Sequence, residues 1–138
     1  MMKWGLSPFD IRYSLFVILY SRWLMRPVSS WTSNAADPAL LQRCKKAITN
    51  VVRDAQVILY GSRARGDAHE YSDYDILILV DGPVDMALEE KMISNVYPLE
   101  LETGAMLTLI VYSTEQWNSP LYRAMPFHKN VDREGVML

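Results

Sequence analysis

The sequence predicts an α/β or α+β fold in which helices flank a small mixed sheet. Three observations predict it. Segments with helical spacing of apolar residues alternate along the chain with short β-branched runs. Glycine and proline separate these segments, and 138 residues of which half are hydrophobic suit one domain.

The first elements of the domain follow Asp37. Asp37 is a favourable N-cap, Pro38 suits the first helical position, and apolar residues then recur with helical spacing, so we expect a helix over 38–54. Cys44 lies on the apolar stripe of this helix, where a buried, unreactive thiol is expected. The run QVILY at 56–60 predicts a strand.

The second strand and second helix are predicted further along the chain. YDILILV at 74–80 is apolar almost throughout, which indicates burial on both faces. A helix is expected over 85–102, kinked at Pro98 and ended by Gly104. Its predicted apolar face consists of Leu88, Met92, Ile93, Val96 and Leu101.

The third strand is predicted at MLTLIVY, residues 106–112. Ser113 and Gln116 have the spacing of a capping box, which predicts a short helix opening at Trp117. The expected order is therefore helix–strand–helix–strand–helix–strand–helix. His128, like His69 earlier in the chain, stands alone among polar residues, and a surface position is expected for both.

Composition excludes several classes of protein. The net charge of −2 is unlike the broad basic surface that strong non-specific nucleic-acid binding requires. Cys44 is the only cysteine, which excludes an internal disulfide and a cysteine-rich zinc site. No apolar run approaches the roughly 20 residues that span a bilayer. We therefore expect a cytoplasmic domain without a membrane partner.

The first 36 residues differ in composition from the rest. Residues 1–36 have a net charge of +3 and three of the four tryptophans, whereas residues 37–138 have a net charge of −5. This shift predicts an N-terminal extension of unknown role before a domain over 37–138. The apolar run at 13–20 resembles a secretory signal, or an amphipathic helix that docks on a membrane or partner. Because charged residues crowd the run, a non-functional extension or an early start codon is favoured, and no chemistry is assigned to the segment.

The chemistry-bearing residues begin where the first strand ends. Gly61 allows the backbone to turn and approach a ligand closely, and Ser62 offers a hydroxyl and a backbone N–H at a helix start. Unpaired N–H groups at such a start favour phosphate. Arg63 and Arg65 are two residues apart and do not share a helix face, so at most one is expected to reach that phosphate, with Arg65 preferred.

Two carboxylates stand at the start of the next strand. Asp73 and Asp75 are separated by one residue, so their side chains project to the same side of the chain. Two close carboxylates raise each other's pKa unless a cation neutralises them, and hard oxygen ligands of this kind suit Mg²⁺. A phosphate-binding turn beside a carboxylate pair is the arrangement that metal-assisted nucleotide chemistry requires.

The stretch YGSRARGDAHEYSDYDILILV resembles the signature of the minimal nucleotidyltransferases of the DNA-polymerase-β-like superfamily. That signature is a Gly-Ser turn, an Asp-x-Asp on the next strand and a third carboxylate on a later strand. The resemblance is close over residues 56–80, and the order of elements fits it over about 37–117. It implies a nucleotidyltransferase-like core.

The resemblance also implies roles for individual residues. Gly61 and Ser62 would hold the terminal phosphates of an NTP, while Asp73 and Asp75 would bind the divalent ions. The implied reaction is transfer of a nucleotidyl group, commonly AMP from ATP, to a hydroxyl group. Minimal members often pair, as antitoxins, with a helical toxin of the HEPN type, and some modify that partner covalently.

One position departs from the family pattern. The third carboxylate belongs in the strand at 106–112, where the polar residue facing the right way is Thr108. A hydroxyl brings no charge, so a second metal would bind more weakly. Glu100 or Glu102 could replace it from the preceding helix, although solvated carboxylates are the favoured interpretation. Two hypotheses follow: an Mg²⁺-dependent nucleotidyltransferase, or an antitoxin-like subunit that neutralises its partner by contact alone.

Overall fold

The computed structural model describes residues 25–31 and 35–138. The strands are β1 (Arg26–Pro27), β2 (Gln56–Tyr60), β3 (Tyr74–Val80), β4 (Leu107–Ser113) and β5 (Val136–Met137). The α-helices are α1 (Pro38–Thr49), α2 (Gly61–Arg65), α3 (Met86–Thr103), α4 (Thr114–Trp117), α5 (Pro120–Ala124) and α6 (Pro126–Glu134), and a 3-10 helix spans Val28–Ser30.

The strands form one mixed sheet in the order β1-β5-β2-β3-β4. Strand β2 is antiparallel to both β3 and β5, whereas β3 and β4 are parallel, as are β1 and β5. The predicted class, a small mixed sheet flanked by helices, is therefore confirmed. The three longer strands were expected from sequence, and the two-residue strands β1 and β5 were not.

Helices cover both faces of the sheet. Helices α1 and α3 pack on one face, where their buried residues meet alternate residues of β2 and β3. On the opposite face Trp117 and Val131, from α4 and α6, pack against Ile58, Leu77 and Leu79. As predicted, β3 is buried on both sides, because its alternate side chains belong to the two different cores.

Helix α1 begins as predicted but ends earlier. The Asp37 carboxylate accepts a hydrogen bond from the Ala39 N–H at 2.9 Å, which caps the first turn. The helix ends at Thr49 rather than 54, because the following residues turn back and the N–H groups of Val51 and Val52 both donate to the Ile48 carbonyl. Cys44 is fully buried, as expected, and burial raises the pKa of its thiol to about 12.

Helix α3 runs through Pro98 and ends at Gly104, which has the expected positive φ of 72°. Its buried face is narrower than predicted and consists of Met92, Val96 and Leu99. Two residues assigned to the apolar face are exposed instead, Ile93 at 54% and Leu101 at 69%. Ile93 lines an open pocket with Leu109 and Val111 of β4, so its side of the helix borders the edge of the sheet.

The C-terminal residues form more structure than the sequence predicts. Ser113 caps α4 by accepting from the Gln116 N–H at 3.1 Å, but this helix ends at Trp117 instead of opening there. His69 is exposed as predicted, whereas the surface position predicted for His128 is wrong. His128 is 4% exposed and stacks on the Trp117 ring, because both residues lie on the inner sides of their helices.

The last part of the predicted extension packs against the sheet. Arg26 and Pro27 form β1, and the Trp31 side chain is buried in the core shared with α1. The predicted division of the chain at residues 36 and 37 stays a prediction, and the apolar run at 13–20 lies outside the described residues. In the part of the chain that the structure describes, no helix is long and apolar enough to cross a membrane.

Candidate functional site

The turn after β2 and the aspartate at the start of β3 meet directly. Tyr60 and Asp75 are register partners in the antiparallel β2–β3 pair, which places Gly61 beside the Asp75 carboxylate. Gly61 has a φ of 74°, and a β-carbon there would overlap an Asp75 carboxylate oxygen and lie 3.2 Å from its Cγ. Glycine is therefore needed both for the backbone conformation and for this close approach.

Ser62 follows in the first turn of α2, a helix of five residues. Within the described residues its hydroxyl has no hydrogen-bond partner. Its carbonyl accepts from the N–H groups of Gly66 and Asp67 at 2.9 and 3.1 Å, and Gly66 has a φ of 88°. These bonds close the helix after one turn. At its other end, next to β2, the first-turn N–H groups have no acceptor within the helix.

Asp73 and Asp75 form the carboxylate pair predicted from sequence. Both are half-buried, with Asp73 just before β3 and Asp75 its second residue. Burial, and then the nearby charge of Asp73, raises the pKa of Asp75 above its ordinary value. The pair is therefore electrostatically unfavourable without a cation, and its hard oxygen donors fit a divalent ion such as Mg²⁺.

The third predicted position carries no carboxylate. Thr108 is the register partner of Asp75 in the parallel β3–β4 pair and is exposed. Glu102 instead pairs with Arg43 at 2.5 Å, and Glu100 accepts a hydrogen bond from the Leu107 N–H at 2.7 Å. Among the described residues no group of three or more His, Cys, Asp or Glu side chains could hold a metal ion.

Arg63 holds the loop that connects α2 to Asp73. Its guanidinium donates to the carbonyls of Ala35, Glu70 and Ser72, and its Cζ lies 4.2 Å from the centre of the Tyr74 ring. The bond to Ser72, at 2.6 Å, fixes the residue just before Asp73. Arg63 therefore serves the backbone, and the preference for Arg65 as the phosphate ligand stays a prediction.

Arg65 ends α2 and forms two ion pairs. Its Nη1 lies 2.6 Å from Glu134 Oε2, and its Nε lies 3.3 Å from Asp67 Oδ2. The guanidinium is also close enough to Asp75 for its charge to oppose the rise in the pKa of that carboxyl. Arg65 therefore lies at the end of α2 and acts electrostatically on Asp75.

Two residues that the sequence does not single out support α2 from outside. Arg26 Nη2 donates to the backbone carbonyls of Ala64 and Glu134, at 3.2 and 2.9 Å, and Trp31 Nε1 donates to the Ala64 carbonyl at 3.1 Å. These contacts join positions up to 108 residues apart. A local pattern carries no signal for contacts at such a separation.

Comparison with known proteins finds similar sequences. The family described as "Nucleotidyltransferase domain" matches residues 40–123. Two proteins of Methanocaldococcus jannaschii, both provisionally named protein adenylyltransferases, are also similar. One is 41% identical over 86 residues, which cover 62% of this chain and 79% of that protein. The other is 35% identical over 75 residues, which cover 53% of this chain and 76% of that protein.

Proposed function

The chain belongs to the nucleotidyltransferase domain family, and from that premise we propose that it transfers AMP from Mg²⁺-bound ATP to a hydroxyl group. Nucleotidyl transfer is the reaction of the family. ATP as the donor is supported by the names of the two relatives, which are provisional protein adenylyltransferases. Those names also favour a protein as the acceptor.

The observation that carries the proposal is the contact between Gly61 and Asp75. It joins the phosphate-binding turn and the carboxylate pair into one site. The Ser62 hydroxyl and the first-turn N–H groups of α2 would bind phosphate oxygens on one side. Asp73 and Asp75 would hold the metal on the other.

Each group of the chain then has a defined task. Ser62 and Arg65 would hold and neutralise the outgoing phosphates, and so position the nucleotide for in-line attack by the acceptor oxygen. Asp73 and Asp75 would hold Mg²⁺, which when bound supplies positive charge against the reacting phosphate. Thr108 would add a neutral oxygen beside Asp75. The residues present therefore fit one divalent ion better than two.

Transfer of label from ATP tests the proposal. The protein is incubated with ATP labelled at the α-phosphate, Mg²⁺ and a candidate protein acceptor, and label on the acceptor is measured after denaturation. Wild type is expected to transfer label, and both Asp73→Ala and addition of a chelator are expected to abolish transfer. No transfer by wild type, or transfer that is equal in Asp73→Ala, would contradict the proposal.

A second candidate function is favoured by two observations. Thr108 stands where a third carboxylate belongs, and α3 has an exposed apolar stripe. The stripe consists of Met86, Ile93, Tyr97 and Leu101, which are 52–75% exposed. An antitoxin-like subunit that neutralises a HEPN-type toxin through such a surface would need no catalysis.

The two functions separate in one comparison. If neutralisation occurs by contact alone, Asp73→Ala keeps it and Ile93→Asp in the stripe removes it. If neutralisation requires transfer of AMP, Asp73→Ala removes it even though the partner still binds. Pull-down with a helical partner, followed by an assay of the partner's toxicity, distinguishes these outcomes.

A further inference from the structure

The Arg65 side chain is held at two of its three nitrogens. Nη1 is bound to Glu134 and Nε to Asp67, as described above, while Nη2 has no partner among the described residues. A guanidinium is a planar group of five N–H donors, so fixing two nitrogens fixes the direction of the third. Nη2 belongs to the same side chain, Arg65, whose positive charge opposes the rise in the pKa of Asp75.

Glu134, which holds Nη1, is itself firmly placed. Its side chain is only 10% exposed, and its second carboxylate oxygen accepts from Arg133 Nη2 at 3.1 Å. Its backbone carbonyl accepts from Arg26. Although burial opposes ionisation, the bonds from Arg65 and Arg133 lower the pKa of Glu134, so the carboxylate is charged at neutral pH.

This ion pair differs from an ordinary surface pair. Arg43 and Glu102 form a pair of similar length, but both side chains are about half exposed or more, and such pairs contribute little to stability. In the Arg65–Glu134 pair, by contrast, the carboxylate is buried and comes from the last residue of α6, 69 residues away. The C-terminal helix thereby reaches the end of α2 next to the candidate site.

We propose that Glu134 is a positioning residue for nucleotide binding: it holds the Arg65 guanidinium at the end of α2 and leaves Nη2 to bind a phosphate oxygen. The inference rests on the proposed function and deepens it. Glu134 does not touch the nucleotide. Its effect passes through Arg65, which is oriented before the ligand arrives and so loses less freedom on binding.

The experiment measures binding of a non-hydrolysable ATP analogue in the presence of Mg²⁺, together with KM and kcat where transfer occurs. Glu134→Gln keeps the size of the side chain and removes its charge. We expect Kd and KM to rise roughly tenfold while kcat stays within about twofold of wild type. Glu102→Gln, which breaks the exposed pair with Arg43, is the matched control and is expected to change none of these constants.

A double-mutant cycle identifies the route of the effect. In an Arg65→Ala background, Glu134→Gln is expected to cause no further loss of binding, because the residue on which Glu134 acts is gone. A further loss of several-fold in that background would overturn the inference. So would an unchanged Kd in Glu134→Gln with a lowered Tm, which is the result of a purely structural role. Tighter binding would also overturn it, since Glu134 would then compete with phosphate for Arg65.

Failure of the inference and failure of the proposed function are distinguishable. If wild type binds the analogue but transfers no label, the proposed transfer fails while the role of Glu134 is still measured by Kd. If wild type binds no analogue, both are overturned. If wild type transfers label and Glu134→Gln has a normal KM, only the inference fails.

Discussion

The two strands that flank Asp75 offer its carboxylate different surroundings. Towards β2, Gly61 packs against the carboxylate so closely that no side chain fits between them. Towards β4, the register partner is Thr108, an exposed residue without charge. The side expected to bind the nucleotide is therefore complete, whereas the side expected to complete a metal centre lacks one anionic ligand. From this difference we expect nucleotide binding and fast catalysis to be separable by mutation.

The largest expected effect comes from filling the space on the β2 side. Gly61→Ala puts a β-carbon against the Asp75 carboxylate at a residue with φ of 74°. We expect it to destabilise the fold by about 2 kcal/mol or more, from left-handed strain together with the clash. Nucleotide binding and transfer should be lost, and thermal unfolding and analogue binding measure the two effects.

Gly104→Ala is the matched control for that substitution. Gly104 has nearly the same φ, 72°, but nothing lies within 4 Å of the position of its β-carbon. Gly104→Ala should lower the free energy of unfolding by about 1 kcal/mol, which is the effect of the left-handed backbone alone, and should leave activity unchanged. If Gly61→Ala retained the activity of Gly104→Ala, the close packing on the β2 side would have no functional meaning.

The next largest effect is expected from restoring charge on the β4 side. Thr108→Asp places a carboxylate beside Asp75, and we expect the Mg²⁺ concentration for half-maximal transfer to fall roughly tenfold, because affinity rises with ligand charge. Thr108→Asn, of similar size but neutral, is the control and should behave like wild type. Equal Mg²⁺ dependence in the aspartate and asparagine variants would mean that Thr108 does not adjoin the metal.

A smaller effect on stability is expected for Asp75→Asn without metal. Burial and the charge of Asp73 raise the folded-state pKa of Asp75 above its ordinary value of 3.8. The folded protein therefore binds this proton more tightly than the unfolded chain, and stability falls as pH rises through the interval between the two pKa values. At neutral pH the variant should have a Tm higher than wild type, by no more than about 4 °C.

The pH dependence of that difference is the check. It should shrink as pH falls and disappear well below 3.8, where the wild-type carboxyl is protonated in both the folded and the unfolded state. Differential scanning calorimetry at several pH values, in chelator, measures it. A lower Tm for Asp75→Asn at neutral pH would show that the pair is not under electrostatic repulsion.

The smallest effect is expected for Glu102→Gln. The sequence allows Glu102 as a replacement for the third carboxylate, but the structure pairs it with Arg43 on the surface. We therefore expect the Mg²⁺ dependence of transfer to be unchanged in this variant. A higher Mg²⁺ concentration for half-maximal transfer would show that Glu102 binds the metal. The contrast between the β2 and β4 sides of Asp75 would then disappear.

Local patterns were enough to predict the parts of the site that lie near each other in sequence. Strand runs bounded by glycine located β2 and β3, and the antiparallel pairing of those strands brings Gly61 to Asp75. The register between Asp75 and Thr108 was also foreseeable, because few polar residues occur in the third strand. In each case the strand is a nearly continuous apolar run, and such a run strongly favours a buried strand over other secondary structure.

Contacts between distant segments could not be predicted in the same way. The Arg65–Glu134 pair, the burial of His128 against Trp117 and the two-residue strands β1 and β5 all depend on how the C-terminal helices return to the sheet. Polar residues that flank His128 suggest a surface position. That prediction fails because the neighbouring helices cover the residue.

Calorimetric titration of wild type and of Asp73→Asn with a non-hydrolysable ATP analogue, each with Mg²⁺ and with chelator, shows most directly whether the serine turn and the two aspartates form one site. If they do, wild type should bind the analogue only with Mg²⁺, and Asp73→Asn should not bind it in either condition. Binding that is the same in all four titrations would show that they do not.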